Sequence, residues 1–173
     1  MDMMILVTGG SSSGKSAWAE NRLMELGGRR IYAATMIPWD EECRERIIKH
    51  REMRKGKGFQ TVECPVDLHE TEGFEGKDVL LECLSNLTAN EMYRQDIRQE
   101  KGDPEKRILQ GLACLKAKAR NLVVVTCEVF SDGENYTEET MEYRDLLGRL
   151  NRKAAAMADE AVEVVCGIPV RLK

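Results

Sequence analysis

Met3-Met4-Ile5-Leu6-Val7-Thr8, followed at once by Gly9-Gly10-Ser11-Ser12-Ser13-Gly14-Lys15-Ser16, is the stretch on which the fold turns. The first part is a short apolar run ending in glycines, as expected of a strand buried on both faces. The next eight residues satisfy GxxxxGK[ST] in full. Glycines let the backbone curl so that successive N–H groups point inward at phosphate oxygens, and a helix beginning near Gly14 adds the positive end of its dipole. Lys15 then reaches the β- and γ-phosphates as a point charge, and the Ser16 hydroxyl is placed to bind Mg²⁺. Average residue usage would produce this pattern by chance in on the order of one chain in a hundred of this length. With a strand before it and an amphipathic helix after it, a mere Gly/Ser-rich turn is the weaker reading. All eight residues from Gly9 to Ser16 (Gly9, Gly10, Ser11, Ser12, Ser13, Gly14, Lys15, Ser16) are therefore expected to hold a nucleotide's phosphates.

Outward from that loop, Gly14 to Leu26 has helical spacing, with Trp18, Leu23 and Leu26 toward a core and Gly27-Gly28 as the stop. Arg30 to Thr35 reads as a strand, Trp39 to Lys55 as a charged helix after Pro38, and Phe59 to Cys64 as a third strand ending at Pro65. Val79 to Leu84 is a buried strand with one carboxylate near its end; helices are expected over Ser85–Gln99 and Pro104–Arg120. Leu122 to Cys127 is another apolar strand. Tyr143, Leu147, Leu150, Ala154 and Met157 then mark one face of a helix at steps of three and four. Ala161–Cys166 and Ile168–Leu172 close the described pattern as two strands around Gly167. Strands alternating with helices indicate an α/β fold with a mainly parallel sheet flanked by helices and an antiparallel C-terminal edge pair, in one nucleotide-binding domain over residues 1–173. His69–Lys77 and 128–137 are the stretches expected to be most mobile.

At 173 residues, 42% hydrophobic and 32% charged, the chain has the composition of a soluble globular protein. A net charge of −4 offers no broad basic surface for nucleic acid or an anionic membrane, so an anionic ligand must be held by local donors. The N-terminal apolar run is too short for a signal peptide, and nothing approaches the ~20 apolar residues of a membrane span. Six cysteines without a CxxC pair, four of them in or beside apolar runs, read as buried free thiols in a reducing cytoplasm.

Two further features carry chemistry. Glu82, at the C-terminal end of a buried strand, lies where α/β sheets bind ligands. It is placed to hold Mg²⁺ directly or through water, or to contact the nucleotide or the acceptor; the alternative is a capping or salt-bridged glutamate. Arg46, His50 and Arg54 fall at i, i+4 and i+8 on one helix face. A neutral imidazole between two guanidiniums suits attack on phosphorus while the cations hold the anion and disfavour imidazolium. By spacing alone, a solvated charged face is the commoner meaning of such a helix.

With these residues in place, the chain resembles the bifunctional adenosylcobinamide kinase/adenosylcobinamide-phosphate guanylyltransferase family. The matching pieces are Ile5 to Gly10 with Ser13-Gly14-Lys15-Ser16, Arg46-Ile47 with His50, and Thr61-Val62-Glu63 followed by Pro65. Leu80-Leu81-Glu82-Cys83 with Asn90, Glu128-Val129, Tyr143-Arg144-Asp145 with Gly148 and Asn151, and Ala158-Asp159-Glu160 to Lys173 complete the set. The resemblance implies a RecA-like P-loop NTPase fold, often a homotrimer, and two successive reactions. The γ-phosphate of ATP or GTP passes to the hydroxyl of adenosylcobinamide's aminopropanol arm. A histidine, which maps onto His50, then takes GMP from GTP as a phosphoramidate and passes it to adenosylcobinamide phosphate. Two stretches depart from the family: Ser12 stands where an arginine is usual, and Cys127–Gly133 replaces an Asn-Glu-Val-Gly pattern and its following Gly/Pro run. Against this bifunctional reading stand a small-molecule kinase using the P-loop alone, for which His50 is dispensable, and a nucleotide-binding protein without turnover.

Overall fold

The computed structural model describes residues 3–94, 102–128 and 137–173. Among these the apolar runs become strands β1 (Met3–Thr8), β2 (Arg30–Ala34), β3 (Phe59–Glu63), β4 (Asp78–Glu82), β5 (Asn121–Val125), β6 (Glu160–Val165) and β7 (Ile168–Arg171). They form one sheet in the order β3-β2-β4-β5-β1-β6-β7. Every pairing is parallel except β6–β7, the antiparallel edge anticipated from the sequence. Val165 faces Ile168 across Cys166-Gly167, whose φ values of 50° and 76° are those of a tight two-residue hairpin turn.

The helices are α1 (Lys15–Glu25), α2 (Glu41–Arg54), α3 (Leu84–Tyr93), α4 (Pro104–Lys118) and α5 (Glu138–Met157). Asp40, Asp103 and Thr137 cap α2, α4 and α5 with side-chain oxygens, whereas α1 begins at Gly14 with no side-chain cap. The first amides of α1 are thus left for a ligand.

Period-two alternation along the strands builds two cores. Ile5, Val7, Leu80, Val123 and Val125 pack with Ala19 and Leu23 of α1 on one face. Met4, Leu6, Val79, Leu81 and Val124 pack with α3, α4 and α5 through Leu87, Leu112 and Leu150 on the other. Each Val, Leu, Ile or Met side chain so buried contributes about 1.5–3 kcal/mol.

Some boundaries differ from expectation, for physical reasons. β4 starts at Asp78 because that carboxylate is fully buried yet satisfied, by Arg120 at 2.8 and 2.9 Å, Asn121 Nδ2 at 2.8 Å and the Gly28 N–H at 2.8 Å. β4 stops at Glu82, and Cys83 alone turns the chain into α3. The helix expected to Gln99 is observed to Tyr93; 95–101 lie outside the described residues, as do 129–136 of the expected 128–137 loop. His69–Lys77, expected to be mobile, is instead tied down: Leu68 and Phe74 flanking and within it are buried, and the Gly76 N–H donates to Lys118 O at 2.9 Å. No helix among the described residues is long and apolar enough to cross a membrane.

Candidate active site

The β1–α1 loop wraps as the glycine spacing requires. Gly14, at φ 89°, sits so close to the hairpin that an added Cβ would lie 3.2 Å from Gly167 Cα. The Gly167 N–H also donates to Ser13 O at 2.7 Å, so the turn between β6 and β7 braces the loop. Lys15 Nζ folds back onto Gly10 O at 3.0 Å. Facing the loop across a cavity of about 560 Å³ are Arg46, Lys49 and His50 of α2.

Ser16 and Glu82 meet directly: Ser16 Oγ donates to Glu82 Oε1 at 2.5 Å. Glu82 is buried, and its Oε2 has no hydrogen-bond partner among the described residues. Burial pushes its carboxyl up to about 7, against the lowering effects of the Ser16 hydrogen bond and the Lys15 and Arg54 charges. An orphaned carboxylate oxygen beside a hydroxyl is a hard-oxygen donor set, and it fits the expectation that Ser16 and Glu82 hold Mg²⁺.

His50 projects from α2 toward the same carboxylate. Its Nδ1 lies 3.4 Å from Glu82 Oε1 and 3.3 Å from Tyr32 Oη. Burial lowers its pKa below the usual imidazole value, and Arg54, Arg46, Lys49 and Lys15 lower it further, so the ring is neutral at pH 7. Tyr32 is itself clamped, with the Arg54 guanidinium 3.3 Å above its ring centroid and Phe59 edge-on at 6.5 Å. Arg54 is buried, with Nη1 unpartnered among the described residues. A second cavity of about 300 Å³ opens between α2 and β2–β3, and His50 and Glu82 stand on its wall.

The family profile described as "Cobinamide kinase / cobinamide phosphate guanyltransferase" matches residues 5–172. The chain belongs to that family. It is 35% identical to the bifunctional adenosylcobalamin biosynthesis protein CobU of Salmonella typhimurium, covering 99% of this chain and 100% of that one. It is 30% identical to the bifunctional adenosylcobalamin biosynthesis protein CobP of Pseudomonas aeruginosa, covering 99% and 98%. Solved structures with the same fold include the flagellar accessory protein FlaH from Methanocaldococcus jannaschii, at TM-score 0.52 and 13% identity over 99% of this chain and 78% of that one. An ATPase from a bacterial type III secretion system matches at TM-score 0.52 and 10% identity, over 99% and 57%. At such identities these two report the P-loop NTPase fold alone.

For this member of the family, the structure gathers Lys15, Ser16, Glu82 and His50 around one space, sets Ser11–Ser16 opposite α2 across an adjoining one, and separates the two arginines. Arg46 faces the loop cavity, whereas Arg54 turns to the sheet side and lies on Tyr32. Sequence reasoning missed Tyr32, Lys49 and Glu20. Glu20 is fully buried and accepts from Lys57 Nζ at 2.6 Å, joining α1 to the end of α2. A charge between Ala19 and Leu23, one turn after Ser16, was its available signal. The cysteines are free, but only Cys64 and Cys83 are buried, and Cys166 is exposed. Cys83 and Cys127 form a thiol pair beside the loop; hydrogen bonding from Cys83 draws the Cys127 thiol below its ordinary value.

Proposed function

We propose that this chain phosphorylates adenosylcobinamide with ATP or GTP and then transfers GMP from GTP to adenosylcobinamide phosphate through a GMP–His50 phosphoramidate. The observation that carries the reading is His50, neutral and half-buried, placed on the wall of the loop cavity against Glu82 at 3.4 Å. A kinase using the loop alone has no need of an imidazole there.

In the first reaction the loop amides of Gly9–Ser16, with Lys15, hold the triphosphate tail, and Arg46 and Lys49 face it from α2. Catalysis is then positioning and charge neutralisation for transfer to the acceptor hydroxyl. Ser16 and Glu82 would hold Mg²⁺, which when bound offsets phosphate charge. In the second reaction His50 splits one difficult displacement into two easier ones. Adenosylcobinamide, its phosphate and the two nucleotides are thus the ligands, and we place the enzyme in the cytoplasm as a homo-oligomer, a trimer by family resemblance.

The test is incubation with Mg²⁺ and GTP labelled at the α-phosphate. The protein should acquire acid-labile, alkali-stable label that is absent from His50→Ala. Folded protein that turns over nucleotide and never takes up label would remove the guanylyl half of the proposal.

A further inference from the structure

The two reacting parties of guanylyl transfer belong to different helices. The phosphate loop runs into α1 at Lys15-Ser16, and the imidazole stands on α2 at His50. An imidazole nitrogen forms the N–P bond to the α-phosphorus of GTP while the bond from that phosphorus to its bridging oxygen breaks, the electron pair leaving with pyrophosphate. Such a displacement depends steeply on distance and line of approach, so the placement of α2 relative to α1 decides its rate. Apolar packing does little to fix that placement, since of α2 only Arg54 is buried. A charged contact stands in its stead. Glu20 lies one turn beyond Ser16 on α1 and is fully buried. Its Oε2 accepts from Lys57 Nζ at 2.6 Å, and its Oε1 has no partner among the described residues. Lys57 is fastened in turn to the end of α2: its N–H donates to Arg54 O at 3.0 Å, and its carbonyl accepts from Arg30 Nη1. Arg54 is one turn beyond His50. Ser16 and His50 thus each stand a single turn from the residues that meet in this contact.

We infer that the Glu20–Lys57 ion pair is a strut that sets α2 against the phosphate loop, so that Glu20 and Lys57 are positioning residues for guanylyl transfer. This rests on the guanylyl-transfer reading above. A carboxylate removed from water is satisfied only while the ammonium stays within hydrogen-bond reach. Sliding α2 along α1 therefore costs this contact far more than it would cost an apolar one. Phosphoryl transfer does not share the requirement: there the attacking atom is the acceptor's hydroxyl oxygen, and no group of α2 bonds to phosphorus. Glu20 also acts at a distance, its negative charge helping to raise the Glu82 carboxyl. Lys57 therefore has a second conceivable effect, the neutralising of that charge, and a double substitution separates it from the strut.

Glu20→Gln/Lys57→Met removes both charges at nearly constant length and leaves neither buried alone. Adduct formation is read with Mg²⁺ and GTP labelled at the α-phosphate, and phosphoryl transfer with ATP labelled at the γ-phosphate and adenosylcobinamide. Both are measured on one preparation, so their ratio does not depend on how much of it is folded. At saturating GTP the double variant should form the His50 adduct about a hundredfold more slowly than the parent. Phosphoryl transfer, and the GTP concentration that half-saturates labelling, should each change by less than about threefold. Lys57→Met alone should lower the ratio as far, and Lys57→Arg, which returns a cation to Glu20, should restore most of it. A double variant with the parent's ratio overturns the inference, leaving Lys57 as a neutraliser of charge if Lys57→Met is slow. Equal falls in both rates overturn it too, since the pair would then prop the fold as a whole. A parent protein that phosphorylates adenosylcobinamide but takes up no label overturns the guanylyl-transfer reading and the inference with it.

Discussion

Glu82 is a buried carboxylate in a site proposed to hold a cation, and the conflict between burial and charge is measurable. In the folded chain its carboxyl titrates near 7, whereas in the unfolded chain it titrates near the ordinary ~4.3. Between those values the unfolded state releases a proton that the folded state retains, so this group's contribution to stability falls as pH rises through that window. Glu82→Gln removes the buried charge. The variant should be more stable than the parent at about pH 8, by on the order of 1–3 kcal/mol, with the gain vanishing near pH 4, as read from urea midpoints across pH. The same variant should lose most of its turnover. A parent protein whose stability is flat between these pH values would show that the carboxyl is not held in that environment. Glu82 was legible from the sequence because its place at a strand end is a local fact. Tyr32 was not, because its meaning lies in neighbours far away in the chain: β2 lies between β3 and β4, and only that register brings Tyr32 beside the strand that ends in Glu82. The alternation of Ile31 and Tyr32 assigns faces and says nothing of partners.

At the scale of elements, α2 stands apart from the other helices. Of its residues only Arg54 is buried. Its attachments are polar: the Arg54 cation on Tyr32, Lys57 just past its end on Glu20, Arg51 to Glu63 at 3.6 Å, and His50 itself. Helices α3, α4 and α5 by contrast bury leucines against the sheet. Segments with little buried apolar surface open most easily. Amides of α2 should therefore exchange with deuterated water well before those of α4, and Mg²⁺ with GTP should slow them selectively by bridging Arg46, Lys49 and His50 to the loop. Equal protection of α2 and α4 in the free protein would contradict this. The sequence showed the existence of α2 and its charged character, since Pro38 precedes it and its polarity is continuous. Its separation of Arg46 from Arg54 was not legible: i, i+4, i+8 spacing places residues along one face, while the cavities on either side of that face depend on how the helix lies over the sheet.

For the molecule as a whole, the phosphate loop is shaped by segments distant in sequence. Its strand, β1, has β5 and β6 as sheet neighbours, and the Met4 N–H donates to Asp159 Oδ2 at 2.8 Å. The hairpin turn at Gly167 then braces Ser13 and Gly14. Gly167→Val forces a branched side chain into a left-handed turn, at about 1–3 kcal/mol; the Cβ itself meets open space, so the strain falls on the backbone whose N–H holds Ser13 O. Nucleotide affinity measured by calorimetry should fall by about tenfold or more although residue 167 touches no phosphate; unchanged affinity would show the brace to be incidental. The P-loop motif itself is written in consecutive residues and was read without the fold. The brace was not, since nothing in Cys166-Gly167 reveals which surface a tight turn will rest on.

That arrangement has a consequence for synthesis. The ribosome makes the loop of residues 9–16 well before the strands that flank β1, which begin at Asn121 and Glu160, and before the turn at Gly167 that props it. While translation is under way, β1 is an apolar segment with both edges unpaired, and cellular GTP has nothing properly shaped to grip. Nucleotide can therefore stabilise the finished protein but cannot template its early folding, and binding competence should appear abruptly once residues 160–171 have cleared the exit tunnel.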